Sequence, residues 1–214
     1  MRKFSSFEWV PDFAIGHVKE LRVRWALEEA GFPYTEWPIS QEEKTSAAYR
    51  KLQPFGQVPF YEDDEVNLFE SGAILLHIAD QSEALMPRDA RGRARATAWV
   101  FAAINSIEPA VAHLTEIDLF HKDEEWARLR RPGAVDNVRQ RLGDLARWLG
   151  DRDFLEDRFT AGDLMMTTVL REVRQEDVLA AFPTLQAYRA RCETRPAFQK
   201  ALRDHLALYA EAAE

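Results

Sequence analysis

The sequence predicts an α/β domain over residues 1–80, in the order β-α-β-α-β-β-α, followed by an all-α bundle over residues 91–214. Three observations carry this. Short apolar runs of strand length alternate with helical patterns only before residue 80. After residue 90, apolar residues recur at helical spacing almost without a break. Between the two regimes, Gln81–Ala90 holds Pro87 and several charges and reads as a linker.

Each element has its own signal. Lys3–Phe7 reads as a short strand. Val18, Leu21 and Trp25, widened by Val23, Leu27 and Ala30, predict a buried helix over Gly16–Ala30, closed by Gly31 and Pro33. Tyr34–Ile39 is a second strand, and Pro38 puts it near a sheet edge. A short helix is expected over Thr45–Leu52. Strands over Val58–Tyr61 and Val66–Phe69 flank the acidic turn Glu62-Asp63-Asp64-Glu65, which reads as a solvated hairpin turn rather than a metal site. Ser71–Asp80 is the last helix of this half. Beyond the linker, Trp99, Val100, Ala103, Ile104, Ile107 and Val111 lie on one helix, in which Pro109 predicts a kink. Val138, Leu142, Leu145 and Leu149 form one face of a helix over Val135–Leu149. Thr160-Ala161-Gly162-Asp163 resembles a capping box ahead of the apolar run Leu164–Val173, where Met165 and Met166 read as core. Leu185–Thr194 and Pro196–Leu206 complete the helical half.

Composition narrows the function classes. The 214 residues carry a net charge of −8, which opposes a general nucleic-acid surface. The basic run Arg88–Arg95 reads as a solvated helix start. The single cysteine, Cys192, excludes an intramolecular disulfide and a cysteine-based metal cluster. With no signal-peptide pattern and no apolar run near 18 residues, the chain reads as soluble and cytoplasmic, with neither a membrane nor a metal among its partners.

The most informative segment is Gln53-Pro54-Phe55-Gly56-Gln57-Val58-Pro59-Phe60. Pro59 opens a strand, where it removes a ladder donor and tolerates a cis bond. That leaves the N–H and C=O of Val58 free to pair with an extended peptide. Twelve residues on, Glu70-Ser71 stands where a strand gives way to a helix. A hydroxyl and helix N–H groups there can hold a carboxylate, and Glu70 an ammonium. Together they describe a receptor for a small peptide with a free α-amino acid end.

"PFGQVPF", "FESGAILLHIAD", "FTAGDLMM" and "LRVRWALEEAGFPY" resemble, in order and spacing, the cytosolic glutathione transferase family. The resemblance runs through "FPTLQAYRARCETRPAF" and covers essentially the whole chain. It implies a thioredoxin-like first domain, an all-helical second domain and a homodimer. It also implies glutathione as co-substrate, its thiolate attacking a small hydrophobic electrophile placed against the helix around Trp99–Val111. Carried over by residue, Val58 would pair with the cysteinyl part of glutathione beside a cis Pro59. Glu70 and Ser71 would bind the γ-glutamyl amine and carboxylate, and Gln57 the glycyl carboxylate. Thr160 and Asp163 would cap a helix.

The thiol activator is where the sequence departs from the family, whose members usually place a Tyr, Ser or Cys just after the first strand. No Tyr precedes position 34, and the only Cys is in the helical half, which excludes Cys-dependent exchange at the first helix. Ser5 and Ser6 fall inside the expected strand, and the following loop is about five residues longer than is usual in the family. The remaining donors are Trp9, His17 and backbone N–H groups between Phe13 and Val18. His17 falls where the family's Ser would stand, counted back from Arg24. A glutathione-dependent isomerase or disulfide reductase on the same scaffold is one alternative. A non-catalytic glutathione-binding module is the other.

Overall fold

The structure, a computed structural model, describes residues 1–211. These residues form two compact units, Met1–Arg88 with the described residues from Arg195 onwards, and Asp89–Thr194.

The first unit is a thioredoxin-like α/β domain. β1 (Arg2–Phe7), β2 (Tyr34–Ile39), β3 (Phe60–Glu62) and β4 (Asn67–Phe69) form one sheet in the order β2-β1-β3-β4. β1 and β2 are parallel, joined by the crossover helix α1 (Glu20–Ala30), while β1–β3 and β3–β4 are antiparallel. Pro38 lies on the edge strand β2, where its missing N–H costs no ladder bond. Gly31 closes α1 at φ +67°, a left-handed position that favours glycine.

Four local expectations shift. α1 starts at Glu20, not Gly16, because Gly16 has φ +80° and the preceding N–H groups close single turns onto Pro11, Asp12 and Ala14. The helix expected over Thr45–Leu52 is instead α2 (Gln41–Thr45). Its N-cap Ser40 accepts from the Glu43 N–H at 3.0 Å, and a separate 3₁₀ turn follows at Tyr49–Lys51. The strand expected at Val58–Tyr61 begins only at Phe60, since the Val58-Pro59 peptide is cis and takes Val58 out of the ladder. The hairpin turn is more than solvated. Asp63 organises it, accepting from the N–H groups of Glu65 and Val66, from the Tyr61 hydroxyl at 3.0 Å and from His77 at 2.7 Å.

α3 (Ser71–Asp80) completes the order β-α-β-α-β-β-α. The last helix, α10 (Pro196–Glu211), was expected in the helical half but packs on α1, with Phe198 edge-on to buried Trp25 at 4.7 Å between ring centres. Arg195, just ahead of it, holds Glu29 through two hydrogen bonds of 2.6 and 2.8 Å.

The second unit is a helical bundle of α4 (Ala90–Ala102), α5 (Glu108–Phe120), α6 (Glu125–Leu149), α7 (Ala161–Arg171), α8 (Glu176–Ala180) and α9 (Pro183–Glu193). A π-helical turn, Ala103–Ile107, separates α4 from α5 directly ahead of Pro109. The wider turn is the form the expected kink takes, because proline removes one ladder donor and crowds the carbonyl four residues back. α7 is the bundle's buried axis, with Met165 and Met166 fully buried. Its capping box is complete: Thr160 Oγ1 accepts from Gly162 N, and Asp163 Oδ2 accepts from Thr160 N at 2.9 Å. Gly162 is required there, because a Cβ would lie 2.5 Å from the Trp99 Cβ of α4.

Candidate functional site

Strand register converges three segments of the first unit. The β3–β4 ladder ends with Phe60 opposite Phe69, so the Val58-Pro59 step and Glu70-Ser71 adjoin the same end of the sheet. β1 pairs with β3 through Lys3↔Glu62 and Phe4↔Tyr61 and runs on towards that same end, where it finishes at Phe7. The cis-proline step, the start of α3 and the β1–α1 loop thus meet at one end of the sheet.

Val58 has the free backbone its sequence context predicts. Its side chain is buried, yet among the described residues neither its N–H nor its C=O enters a hydrogen bond. Gln57 is exposed, with its N–H donated to Gln53 Oε1 at 3.1 Å. Glu70 caps α3 at φ 71° and ψ 115°, a conformation that costs a non-glycine residue about 1–3 kcal/mol and collects at ligand clamps. The helix ladder begins only with the Ile74 N–H on the Glu70 carbonyl, so the N–H groups of Ser71, Gly72 and Ala73 have no partner within the helix. These N–H groups and the helix dipole favour an anion. The buried Ser71 hydroxyl accepts from Arg22 Nη1 at 3.2 Å, which brings a guanidinium to the same corner.

The β1–α1 loop contains the candidate thiol donors. Trp9 is 58 % exposed, and His17 is half-buried in the turn before α1. The backbone donors are largely spent. The N–H groups of Ala14, Ile15 and His17 close local turns, and that of Gly16 donates to His205 Nε2 of α10 at 3.0 Å. The Val18 N–H has no acceptor among the described residues. Ser5 and Ser6 are fully buried inside β1, and the Ser5 hydroxyl is bonded to Tyr49 Oη and the Phe60 N–H.

Two contributors escape sequence reasoning. α10 secures the loop through His205 and through Tyr209, whose hydroxyl donates to the Phe7 carbonyl at 3.3 Å. Glu20, in the first turn of α1, is fully buried, with Oε1 3.5 Å from the Phe7 N–H. Burial pushes its carboxyl up to about 7, against the opposing pull of its own and the Phe7 N–H groups and of Arg24. Among the described residues, no group of three His, Cys, Asp or Glu side chains is placed to hold a metal ion. No described helix is long and apolar enough to cross a membrane.

Residues 13–80, from the β1–α1 loop to the end of α3, match the family of the glutathione S-transferase N-terminal domain. The chain is also 25 % identical over 205 residues to a glutathione S-transferase of Hyoscyamus muticus, covering 85 % of this chain and 92 % of that one. The chain is thus similar to glutathione S-transferases, through the N-terminal-domain model over residues 13–80 and at lower identity along most of its length. The fold agrees: a glutathione transferase family member from Pseudomonas fluorescens, with two glutathione bound, superposes with a TM-score of 0.83 at 24 % identity. That superposition covers 94 % of this chain and 92 % of that one. Ure2p in complex with glutathione superposes at 0.79 with 22 % identity, covering 94 % and 93 %.

The second unit contains a cavity of about 160 Å³, its wall mostly apolar, with Trp99, Ile107, Trp148 and Met166, but including the charged side chains of Arg141 and Asp144. Its walls include Trp99, Ala102 and Ile107 of the Trp99–Val111 stretch.

Proposed function

We propose that this chain is a glutathione-dependent transferase in which the bound thiolate attacks a small hydrophobic electrophile. The observation that carries the reading is the unbonded Val58 backbone beside Pro59, two residues ahead of the Phe60↔Phe69 pair whose other strand leads into α3. Val58 pairs with the cysteinyl backbone of glutathione. The carboxylate of Glu70 takes the γ-glutamyl ammonium, while the Ser71 hydroxyl and the first N–H groups of α3 take its carboxylate. Gln57 reaches the glycyl carboxylate.

The sulfur then faces the β1–α1 loop. A thiol of pKa about 8.5 is only a few per cent ionised at pH 7. Lowering that value by ~2 units requires ~2.7 kcal/mol of preferential anion stabilisation. One charge-assisted hydrogen bond contributes about 1.5–3 kcal/mol, so a single donor suffices. His17 is our first choice, assisted by the Val18 N–H and the Trp9 indole. Conjugation of glutathione to an aryl halide, with thiolate absorbance followed across pH, tests the reading. The His17→Ala variant is expected to lose rate and raise the thiol pKa, and unchanged values remove His17 from the mechanism.

A homodimer completes the proposal. The observation favouring it is an exposed aromatic pair, Phe55 (63 % exposed) edge-on to Phe69 at 6.1 Å between ring centres. Equilibrium sedimentation at twice the chain mass supports it, and a monomer refutes it.

One observation favours a second reading, glutathione binding without turnover: the N–H groups of Ala14 to His17 are already committed to protein acceptors. Tight binding with no conjugation, no isomerisation of a maleyl-type dienoate and no reduction of a mixed disulfide would select it.

A further inference from the structure

Outside the groups assigned to glutathione, the loop that presents Val58 is gripped at both of its ends by two buried hydroxyls. The Phe60 N–H donates to Ser5 Oγ at 2.7 Å. Ser5 Oγ and Tyr49 Oη are 2.8 Å apart, and Tyr49 Oη is 2.8 Å from the Gln57 carbonyl oxygen. Counting hydrogens fixes the direction of every bond. The Gln57 carbonyl has no hydrogen, so the Tyr49 hydroxyl donates to it. Tyr49 has then spent its only hydrogen, so the Ser5 hydroxyl must donate to Tyr49 Oη, while its lone pair receives the Phe60 N–H. Burial pushes the Tyr49 phenol up, so the hydroxyl keeps the hydrogen this chain needs.

The relay runs Phe60 N–H to Ser5, Ser5 to Tyr49, and Tyr49 to the Gln57 carbonyl. It bridges from the residue just before Val58-Pro59 to the residue just after. Gln53 adds a second restraint, its Oε1 accepting from Phe55 N at 2.8 Å and Gln57 N at 3.1 Å. Ser5 is fully buried and Tyr49 nearly so, at 2 % exposure, so water does not replace a lost member. Val58 itself is left out of the relay, its N–H and C=O without a partner among the described residues.

We propose that Ser5 and Tyr49 are positioning residues that hold the Val58-Pro59 step in its ligand-binding geometry, so that affinity for an extended peptide depends on two hydroxyls that never touch it. The inference deepens the glutathione reading and rests on it for the identity of the ligand. A fold-stabilising role alone predicts lower melting temperatures with unaltered affinity in the folded variants. A positioning role predicts altered affinity and a KM for glutathione that rises while kcat holds.

The test uses Tyr49→Phe, Ser5→Ala and the double variant, each confirmed folded by its melting curve and studied well below the melting temperature. Calorimetric titration with glutathione is expected to show about a tenfold weaker Kd for each single variant. The double variant is expected to be no weaker than the worse single one, because either substitution already breaks the relay. Amide hydrogen exchange without ligand reads the brace by itself, and faster exchange at Phe60 and Gln57 is expected in both single variants. Singles within twofold of wild type in Kd, or additive losses, overturn the proposal. If wild type fails to bind glutathione, the glutathione reading falls. Faster exchange at Phe60 and Gln57 still supports the brace in that case, and unchanged exchange overturns it.

Discussion

Glu20 gives the most quantitative prediction. Its carboxyl is fully buried on the first turn of α1, and burial raises it from 4.5 to about 7. A raised carboxyl binds its proton more tightly in the folded chain than in the unfolded one. The folded state is therefore favoured at low pH, and that advantage disappears as pH climbs from about 4.5 through about 7. At about 1.36 kcal/mol per pH unit, the interval corresponds to roughly 3 kcal/mol. The Glu20→Gln variant keeps the shape and an acceptor for the Phe7 N–H, and it has no proton to lose. Other groups titrate in the same window, but they cancel in the difference between variant and wild type. Urea unfolding across pH 5 to 8 is expected to show Glu20→Gln gaining on wild type with rising pH, by roughly 3 kcal/mol at the upper end. For a chain of this length that equals about 6–12 °C in melting temperature. A difference independent of pH would refute both the burial and the proton held there.

Four further outcomes follow from the same contacts. Asp163→Ala strands the Leu155 and Thr160 N–H groups and the Tyr188 hydroxyl around a buried site, so a loss of about 3–5 kcal/mol is expected in denaturant unfolding. At Asp63, burial raises the carboxyl, but His77 and the N–H groups of Glu65 and Val66 outweigh it and leave the group well below the usual range. Its stabilisation is therefore present above about 3.8 and lost as pH falls. Asp63→Asn should cost about 1–3 kcal/mol at neutral pH, and the gap to wild type should narrow in acid melts. Ser71→Ala is expected to weaken glutathione about tenfold by calorimetry and, because it also removes the acceptor of Arg22 Nη1, to cost about 1–3 kcal/mol in urea unfolding. Trp9→Phe keeps the ring and removes the N–H, so an unchanged conjugation rate assigns Trp9 to packing alone.

The fold was legible wherever one local signal dominated. Tyr34–Ile39 and Ser71–Asp80 match their expected bounds because β-branched and aromatic residues, or an uninterrupted apolar helix, leave little competition. Ser40 with Glu43 three residues on has capping-box spacing, and this local signal, stronger than the apolar pattern of Thr45–Leu52, starts α2 at Gln41. α10 has an ordinary amphipathic pattern, and nothing in it says that its buried face meets α1 through Phe198 and Trp25. The residues proposed to contact glutathione stand out because Val58-Pro59 and Glu70-Ser71 are short motifs whose backbone geometry is local. Glu20, His205 and the Ser5–Tyr49 relay were not, since each takes its meaning from a partner 13 to 189 residues away. A charged residue on an apolar helix face is the one signal that could have singled out Glu20.

The central claim is that the Val58 backbone and the start of α3 bind glutathione and deliver its sulfur, ionised, to the β1–α1 loop. Titrating glutathione into the protein while recording both heat and thiolate absorbance across pH tests this directly. The account predicts saturable binding of one glutathione per chain, with the bound thiol titrating about 2 units below its free value of about 8.5. Absence of saturable binding would contradict the site, and a bound thiol that titrates like the free one would contradict its chemistry.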